Sequence, residues 1–333
     1  MLGLSTLPVL LTLVAIAVST MGLFTRKWNP KNKKPREFES GSVDARGGLL
    51  TTTQAFRLRI TQGLRVSPDQ IIKSYSFSLT DAGGSAAALE AACAQFEGKA
   101  PDAMFLCAGS SRPRYFIDDD AEDLENAMKN AYWVQAYSAH VRISLQYASA
   151  QLTPLQAGIK KMVRQKAPGK IAFVGSTLSY MSFAGYNNYS PGKHALRALA
   201  DGLASECQLY DISVHIFFPC TMDTPGYEEE NKLKPELTKK IEETDSGLTP
   251  GQAAEAMYKG VQLGQQHISG DLITTLFRVG TRGAAPNHNI LVDSILGLVA
   301  WVGIPIWRRI VNSEVKAHKK AHAEYLVSQN HMD

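Results

Sequence analysis

The sequence predicts an α/β fold, and three observations carry that prediction. Ala103–Leu106, Ile171–Val174 and Ser213–Phe218 are short apolar runs bounded by turn residues, the pattern of buried strands. Helical stretches accompany them: the Ala-rich Ser85–Phe96 before the first, and the segment that begins near Tyr189 between the second and the third. The chain has 333 residues, 44% of them hydrophobic and 20% charged, enough for one large α/β domain with appendages.

Met1–Phe24 contains no charged residue. As a helix it would rise about 36 Å, enough to cross a hydrocarbon core of about 30 Å, so residues 1–24 read as an uncleaved transmembrane anchor. A signal peptide is the alternative, but the run lacks a basic leader and a small-residue cleavage site. Arg26, Lys27, Lys31, Lys33, Lys34 and Arg36 follow at once and place the next domain on the cytosolic side. The net charge of +4 is too small to argue for nucleic acid. Cys93, Cys107, Cys207 and Cys220 lie scattered, without the spacing of a metal site or a disulfide framework, so no metal is expected.

Residues 25–66 are basic and poor in periodicity, and Gly47, Gly48 and Gly63 read as turn residues. Ile71–Leu79 suits a strand, and Asp81 leads into the Ala-rich helix. After Ala103–Leu106 come Cys107, Ala108 and Gly109, then a helix from about Ala121 that carries Asn130. Pro154 predicts a break in residues 141–158, since proline inside a helix costs about 3 kcal/mol.

Lys170 to Lys193 is the stretch that carries chemistry. Ser176 ends the strand, and Tyr189 and Lys193 stand four apart, on one face of the following helix. An ammonium held beside a phenol favours the phenolate and is expected to lower the Tyr189 pKa, which makes the pair an acid for a substrate oxygen. Ser176 could donate to the same oxygen. An exposed Tyr and Lys on a solvated helix remain the alternative. Ser213–Phe218 leads into the turn Pro219–Gly226.

Taken together, Cys107-Ala108-Gly109, Asn130, Ser176, Tyr189, Lys193 and Pro219 to Gly226 resemble the short-chain dehydrogenase/reductase family. The acidic run GYEEEN, the stretch KIEETDSGLTP and the later WVGIPIWRR resemble its membrane-bound fungal branch, the 3-ketodihydrosphingosine reductases. The resemblance runs from about Gln70 to His322. It implies a Rossmann-like doubly wound parallel sheet, incomplete in its N-terminal half, because the Thr-Gly-x-x-x-Gly-x-Gly turn that cradles a pyrophosphate is missing from residues 25–66. The domain so outlined covers residues 67–285, with 141–158 as an insertion and 286–333 as a membrane-associated segment and basic tail.

The resemblance also implies roles. Ser176, Tyr189, Lys193 and Asn130 are the expected catalytic residues, with Asn130 holding a water that relays protons toward Lys193. NADPH is the expected cofactor, bound by Cys107, Ala108, Gly109, Tyr189, Lys193, Pro219 and Thr224. Two departures stand out: Ser78 where relatives place an Asp toward the adenine, and Cys220 where they place a Gly beside the nicotinamide. Glu228–Glu243 falls where relatives carry a lid, a solvated helix being the alternative. His267–Thr274 reads as the last strand.

The implied reaction is reduction of a long-chain sphingoid ketone, 3-ketodihydrosphingosine, at the endoplasmic reticulum membrane with the domain facing the cytosol. The partners are that ketone and the lipid bilayer, with no nucleic acid, and a homo-oligomer is compatible. Reduction of another membrane-soluble carbonyl, such as a steroid or acyl ketone, is one alternative, and an inactive membrane-associated homologue without its cofactor site is another. Ile290–Ile306, shorter than a comfortable span and ending in Trp301, Trp307 and two arginines, reads as an interfacial or re-entrant segment. Pro305 is expected to interrupt it and the tail to be loosely ordered.

Overall fold

The structure is a computed structural model and describes residues 49–51, 75, 77–94, 96–140, 158–243, 245 and 247–331. The anchor at residues 1–24 and most of the 141–158 insertion lie outside the described residues. Strand β1 is Leu49–Thr51, followed by helix α1, Ala82–Ala94, and β2, Ala103–Leu106. Helix α2, Ala121–Met128, passes through a π-helical turn, Lys129–Trp133, into α3, Val134–His140. Then come α4 (Gly158–Arg164), β3 (Gly169–Val174), α5 (Ser190–Glu206) and β4 (Ile212–Phe218). Helices α6 (Pro225–Leu233), α7 (Glu236–Glu242) and α8 (Pro250–Gln262) precede β5, His267–Ser269. The chain ends in α9 (Leu272–Thr281), α10 (Ile290–Ala317) and α11 (Lys319–Ser328).

The five strands pair in parallel, in the order β1-β2-β3-β4-β5. Parallel strands need crossovers, which bring helices onto both faces of the sheet. Alternation along β3 and β4 follows: Ile171 and Phe173 pack with Val214, Ile216 and Phe218 in the larger core, beside Leu196 of α5 and Met162 of α4. Ala172 and Phe217 point the other way, toward Ala253, Met257 and Val261 of α8. Among the described residues the strands run in sequence order, so the reversal of a doubly wound sheet is not among them.

Several expectations need correction. β1 lies inside the segment read as irregular, where Leu49–Thr51 pairs with Met104–Leu106; three residues are too short to register as a periodic run. In the stretch read as a strand from Ile71 to Leu79, the described residues Tyr75 and Phe77–Leu79 are in no strand. There the chain is already turning into α1, whose first turn Asp81 caps through the Gly84 N–H at 2.8 Å. The last strand stops at Ser269 because Asp271 caps α9, accepting from the Thr274 N–H at 2.8 Å.

A further correction concerns the C-terminus. Pro305 does not end the apolar segment, and α10 runs 28 residues through it. Packing outweighs the lost hydrogen bond: Trp307 meets Phe277 edge-on at 5.0 Å, and the Arg308 guanidinium donates to the Ser182 carbonyl at 2.8 Å. Asp293, the charge within the apolar run, forms a bidentate bridge to Arg278 of α9 at 2.7 and 3.1 Å, with both residues buried. The tail is likewise ordered. Its helix α11 docks on the loop after β2, with the Tyr325 hydroxyl donating to Asp118 at 2.7 Å and His322 packed on Tyr115 at 4.4 Å.

Candidate active site

The carboxyl ends of parallel strands are where an α/β sheet places its ligand crevice. Here the end of β3 runs into Gly175 and Ser176, and a 3-10 turn, Thr177–Ser179, begins directly afterwards. Ser176 caps that turn, its Oγ accepting from the Leu178 N–H at 3.1 Å while Ser179 Oγ accepts from the Ser176 N–H at 3.2 Å. The loop returns through Gly185, whose positive φ of 100° only glycine adopts at low cost; a Cβ there would also collide with Thr238 of α7. Tyr189 stands at the N-cap position of α5 with its side chain making no capping bond, and Pro191 sits in the first turn of the helix.

Lys193, one turn into α5, is buried and donates to the Val174 carbonyl at 2.9 Å. Its Nζ lies 5.6 Å from the centre of the Tyr189 ring. The Ser176 hydroxyl lies close enough to the Tyr189 phenol to oppose, in part, the rise of its pKa. Ser176, Tyr189 and Lys193 therefore converge on one crevice. The π-helical turn brings Asn130 to the same place: a Cβ on Gly109 would lie 3.1 Å from the Asn130 carbonyl and 3.7 Å from Lys193 Nζ. A Cβ there would crowd that approach. A π-helical turn widens the helix locally, a device frequent at functional sites.

The electrostatics run against one expectation. Desolvation by the surrounding protein, reinforced by the carboxylate of Glu230, holds the Tyr189 phenol above its ordinary value, opposite to the lowering predicted from Lys193 alone. Desolvation also pulls Lys193 down to about 8. The ammonium answers its own burial through the Val174 carbonyl, so its field on the phenol does not dominate.

Of the other predicted residues, Ala108 and Pro219 serve as acceptors. The Ala108 carbonyl takes a hydrogen bond from Gln135 at 3.1 Å, and that of Pro219 takes two from Thr177, at 2.9 and 3.1 Å. Thr224 caps α6, its Oγ1 accepting from the Tyr227 N–H at 3.1 Å, which leaves the hydroxyl hydrogen available to another acceptor. Burial and the neighbouring Asp271 push the Cys220 thiol up to about 12, so it is no nucleophile at neutral pH. Cys107, partly exposed, precedes Ala108 at the end of β2.

A cavity of about 140 Å³ opens beside Tyr189, lined by Ser110, Ser111, Arg114, Asn130 and Asn188, with Arg112, Asp123, Asn126 and Ala127 completing the wall. Sequence reasoning missed several residues here. Gln135 is fully buried; its Nε2 donates to both the Ala108 and Val174 carbonyls, and its Oε1 accepts from the Val174 N–H at 3.0 Å. It thereby ties α3 to the ends of β2 and β3. A glutamine in a helix reads as a solvent residue, so nothing in the linear pattern marked it. Tyr186, three residues before Tyr189, donates to Glu230 Oε1 at 2.7 Å, and Ser111 donates to Glu230 Oε2 at 2.6 Å.

A parallel sheet with Ser, Tyr and Lys gathered at the end of its third described strand defines a short-chain dehydrogenase. The chain belongs to that family, whose short chain dehydrogenase profile matches residues 59–234. It is 40% identical over 253 residues to a 3-ketodihydrosphingosine reductase of Cryptococcus neoformans var. neoformans, which covers 76% of this chain and 71% of the relative. A 3-ketodihydrosphingosine reductase of Aspergillus fumigatus is 29% identical over 229 residues, covering 64% of this chain and 59% of the other. Among solved structures, a short-chain dehydrogenase from Streptomyces avermitilis superposes with a TM-score of 0.46 at 19% identity, over 72% of this chain and 79% of that one.

Proposed function

We propose that this protein reduces the 3-keto group of 3-ketodihydrosphingosine to a hydroxyl with NADPH as cofactor. The observation that carries the reading is the convergence of Ser176, Tyr189 and Lys193 on one crevice, in a chain whose relatives bear that name. In this reading Tyr189 holds the proton that the developing alkoxide takes up. Its raised pKa keeps the phenol protonated at neutral pH, as an acid requires. Ser176 orients and polarises the carbonyl oxygen. Lys193, charged below pH about 8, steadies the phenolate left behind, and Asn130 supports the return of a proton from solvent.

The described residues fit the nicotinamide and ribose end of the cofactor. Gly109 keeps the backbone open between Asn130 and Lys193, and Thr224 keeps a hydroxyl hydrogen for an amide oxygen. When bound, NADPH supplies the hydride to the carbonyl carbon. The phosphate end falls to residues 25–66, most of which lie outside the described residues.

The reading extends to the membrane. Residues 1–24 anchor the chain in the endoplasmic reticulum with residues 67–285 in the cytosol. Helix α10, 28 residues long, is apolar enough and long enough to cross a bilayer. We take it to lie in the membrane face by the exposed side chains Ile290, Leu291, Leu298, Trp301 and Val302.

The absent glycine turn favours a second reading, a homologue that no longer binds its cofactor. One titration separates the two. NADPH fluorescence against the detergent-solubilised chain, followed by turnover of 3-ketodihydrosphingosine, is expected to show saturable binding and product formation. Absence of binding would overturn the reductase reading.

A further inference from the structure

Helix α6 carries three consecutive glutamates, Glu228, Glu229 and Glu230. Glu228 and Glu229 face solvent, whereas Glu230 turns inward, where Tyr186 and Ser111 both donate to it. Ser111 lines the cavity beside Tyr189, and the Tyr186 and Tyr189 rings lie 6.1 Å apart between centres. Glu230 thus stands at the rim of the candidate active site.

The charges around it do not balance. Lys234, its side chain fully enclosed, pairs with Glu242 at 2.6 Å and only more distantly with Glu230 at 3.5 Å. Two carboxylates share one ammonium, which leaves one negative charge in excess. Among the described residues that line the cavity, Arg114 is already bonded to Asp119 and Asp123, and Arg112 is the other cation. The excess charge carries a cost for chemistry, because an anion near Tyr189 opposes formation of the phenolate. A cation arriving with the substrate would cancel that cost at the moment of reaction.

We propose that Glu230 is a specificity-determining residue that accepts a hydrogen bond from a primary ammonium on the carbon next to the substrate carbonyl. The inference rests on the proposed function, since 3-ketodihydrosphingosine carries its amine at that carbon. With the ketone oxygen at Tyr189 and Ser176, the neighbouring ammonium falls within a few ångströms of the phenol. A carboxylate offers about four acceptor positions, and Tyr186 and Ser111 occupy two. The same contact selects against an N-acylated ketone, which is neutral at that position and leaves Glu230 unanswered.

The test is calorimetric binding to the full chain in detergent micelles, with dihydrosphingosine and N-acetyldihydrosphingosine as probes. The free amine is expected to bind about ten- to hundredfold more tightly, the range of a hydrogen bond to a charged group. Glu230→Gln is expected to abolish that preference, and Tyr186→Phe, which leaves the carboxylate in place, to keep it. A Glu230→Gln protein that still prefers the amine, or a Tyr186→Phe protein that has lost the preference, would overturn the assignment. Turnover of 3-ketodihydrosphingosine with NADPH, measured on the unsubstituted chain, keeps the two proposals apart. Amine preference without turnover supports ammonium recognition by Glu230 and rejects the reduction, whereas turnover without amine preference rejects Glu230 alone.

Discussion

Lys193 donates to the carbonyl of Val174 at 2.9 Å, and this one contact fixes the buried ammonium at the end of β3. Gln135 Nε2 reaches the same oxygen at 2.9 Å, so strand, helix and lysine meet at a single acceptor. The contact sets where Lys193 can act, because its Nζ is held beside Gly109 and the Tyr189 ring.

In the proposed reduction Tyr189 is the proton donor, and Tyr189→Phe removes it. The turnover number is expected to fall by about 10²- to 10⁴-fold, the usual scale of general acid catalysis. Burial of the ring is unchanged, so the thermal midpoint should stay close to that of the parent. Steady-state NADPH oxidation and a melting curve on the same preparation check both halves.

The pH dependence follows from Lys193. Its pKa is depressed to about 8 by desolvation, so the ammonium is present below that value and lost above it. Tyr189, raised above its ordinary value, stays protonated across the same range. kcat/KM for reduction is therefore expected to fall as pH rises through about 8, since this ratio reports the free enzyme. The sign for stability is the reverse: a lysine depressed in the folded state makes folding more favourable as pH climbs from about 8 to 10.5. Rate profiles and urea unfolding at matched pH values test the two signs together.

Gln135→Ala strips hydrogen bonds from the Ala108 carbonyl and from both polar groups of Val174. Each buried group left unsatisfied costs about 1–3 kcal/mol. Urea unfolding should show a loss of at least about 2 kcal/mol, with turnover also reduced because the Val174 carbonyl that holds Lys193 loses its second donor.

Asp293→Ala leaves the enclosed guanidinium of Arg278 without its bidentate partner. Removal of one member of a buried pair costs about 3–5 kcal/mol. Replacing both members, as Arg278→Met with Asp293→Leu, should recover much of that loss, which a four-way comparison of unfolding free energies would show.

Trp301 is 77% exposed on the apolar face of α10. In vesicles made with brominated acyl chains its fluorescence should be quenched, and Trp301→Phe should remove that component of the quenching. An unquenched Trp301 would mean that α10 faces water or protein instead of lipid.

The sequence by itself determined the strands Ala103–Leu106, Ile171–Val174 and Ser213–Phe218, along with the pairing of Ser176, Tyr189 and Lys193 in one stretch. These were legible because each is local: a strand is a run of apolar residues, and a spacing of four is a helix face.

Tertiary structure alone decided the rest. The chain through Tyr75 and Phe77–Leu79 has strand-like residues but turns instead into α1, while Leu49–Thr51, unremarkable in the sequence, gains a place by pairing with β2. Pro305 reads as a breaker until Trp307 and Arg308 hold the far side of α10 against Phe277 and Ser182. Glu230 is one of three adjacent glutamates, and only the fold carries it to Ser111 and Tyr186. The physical reason is common to all of them. Local patterns report what a few neighbouring side chains prefer, whereas burial and charge pairing are settled by residues distant in the chain, 119 positions apart for Ser111 and Glu230.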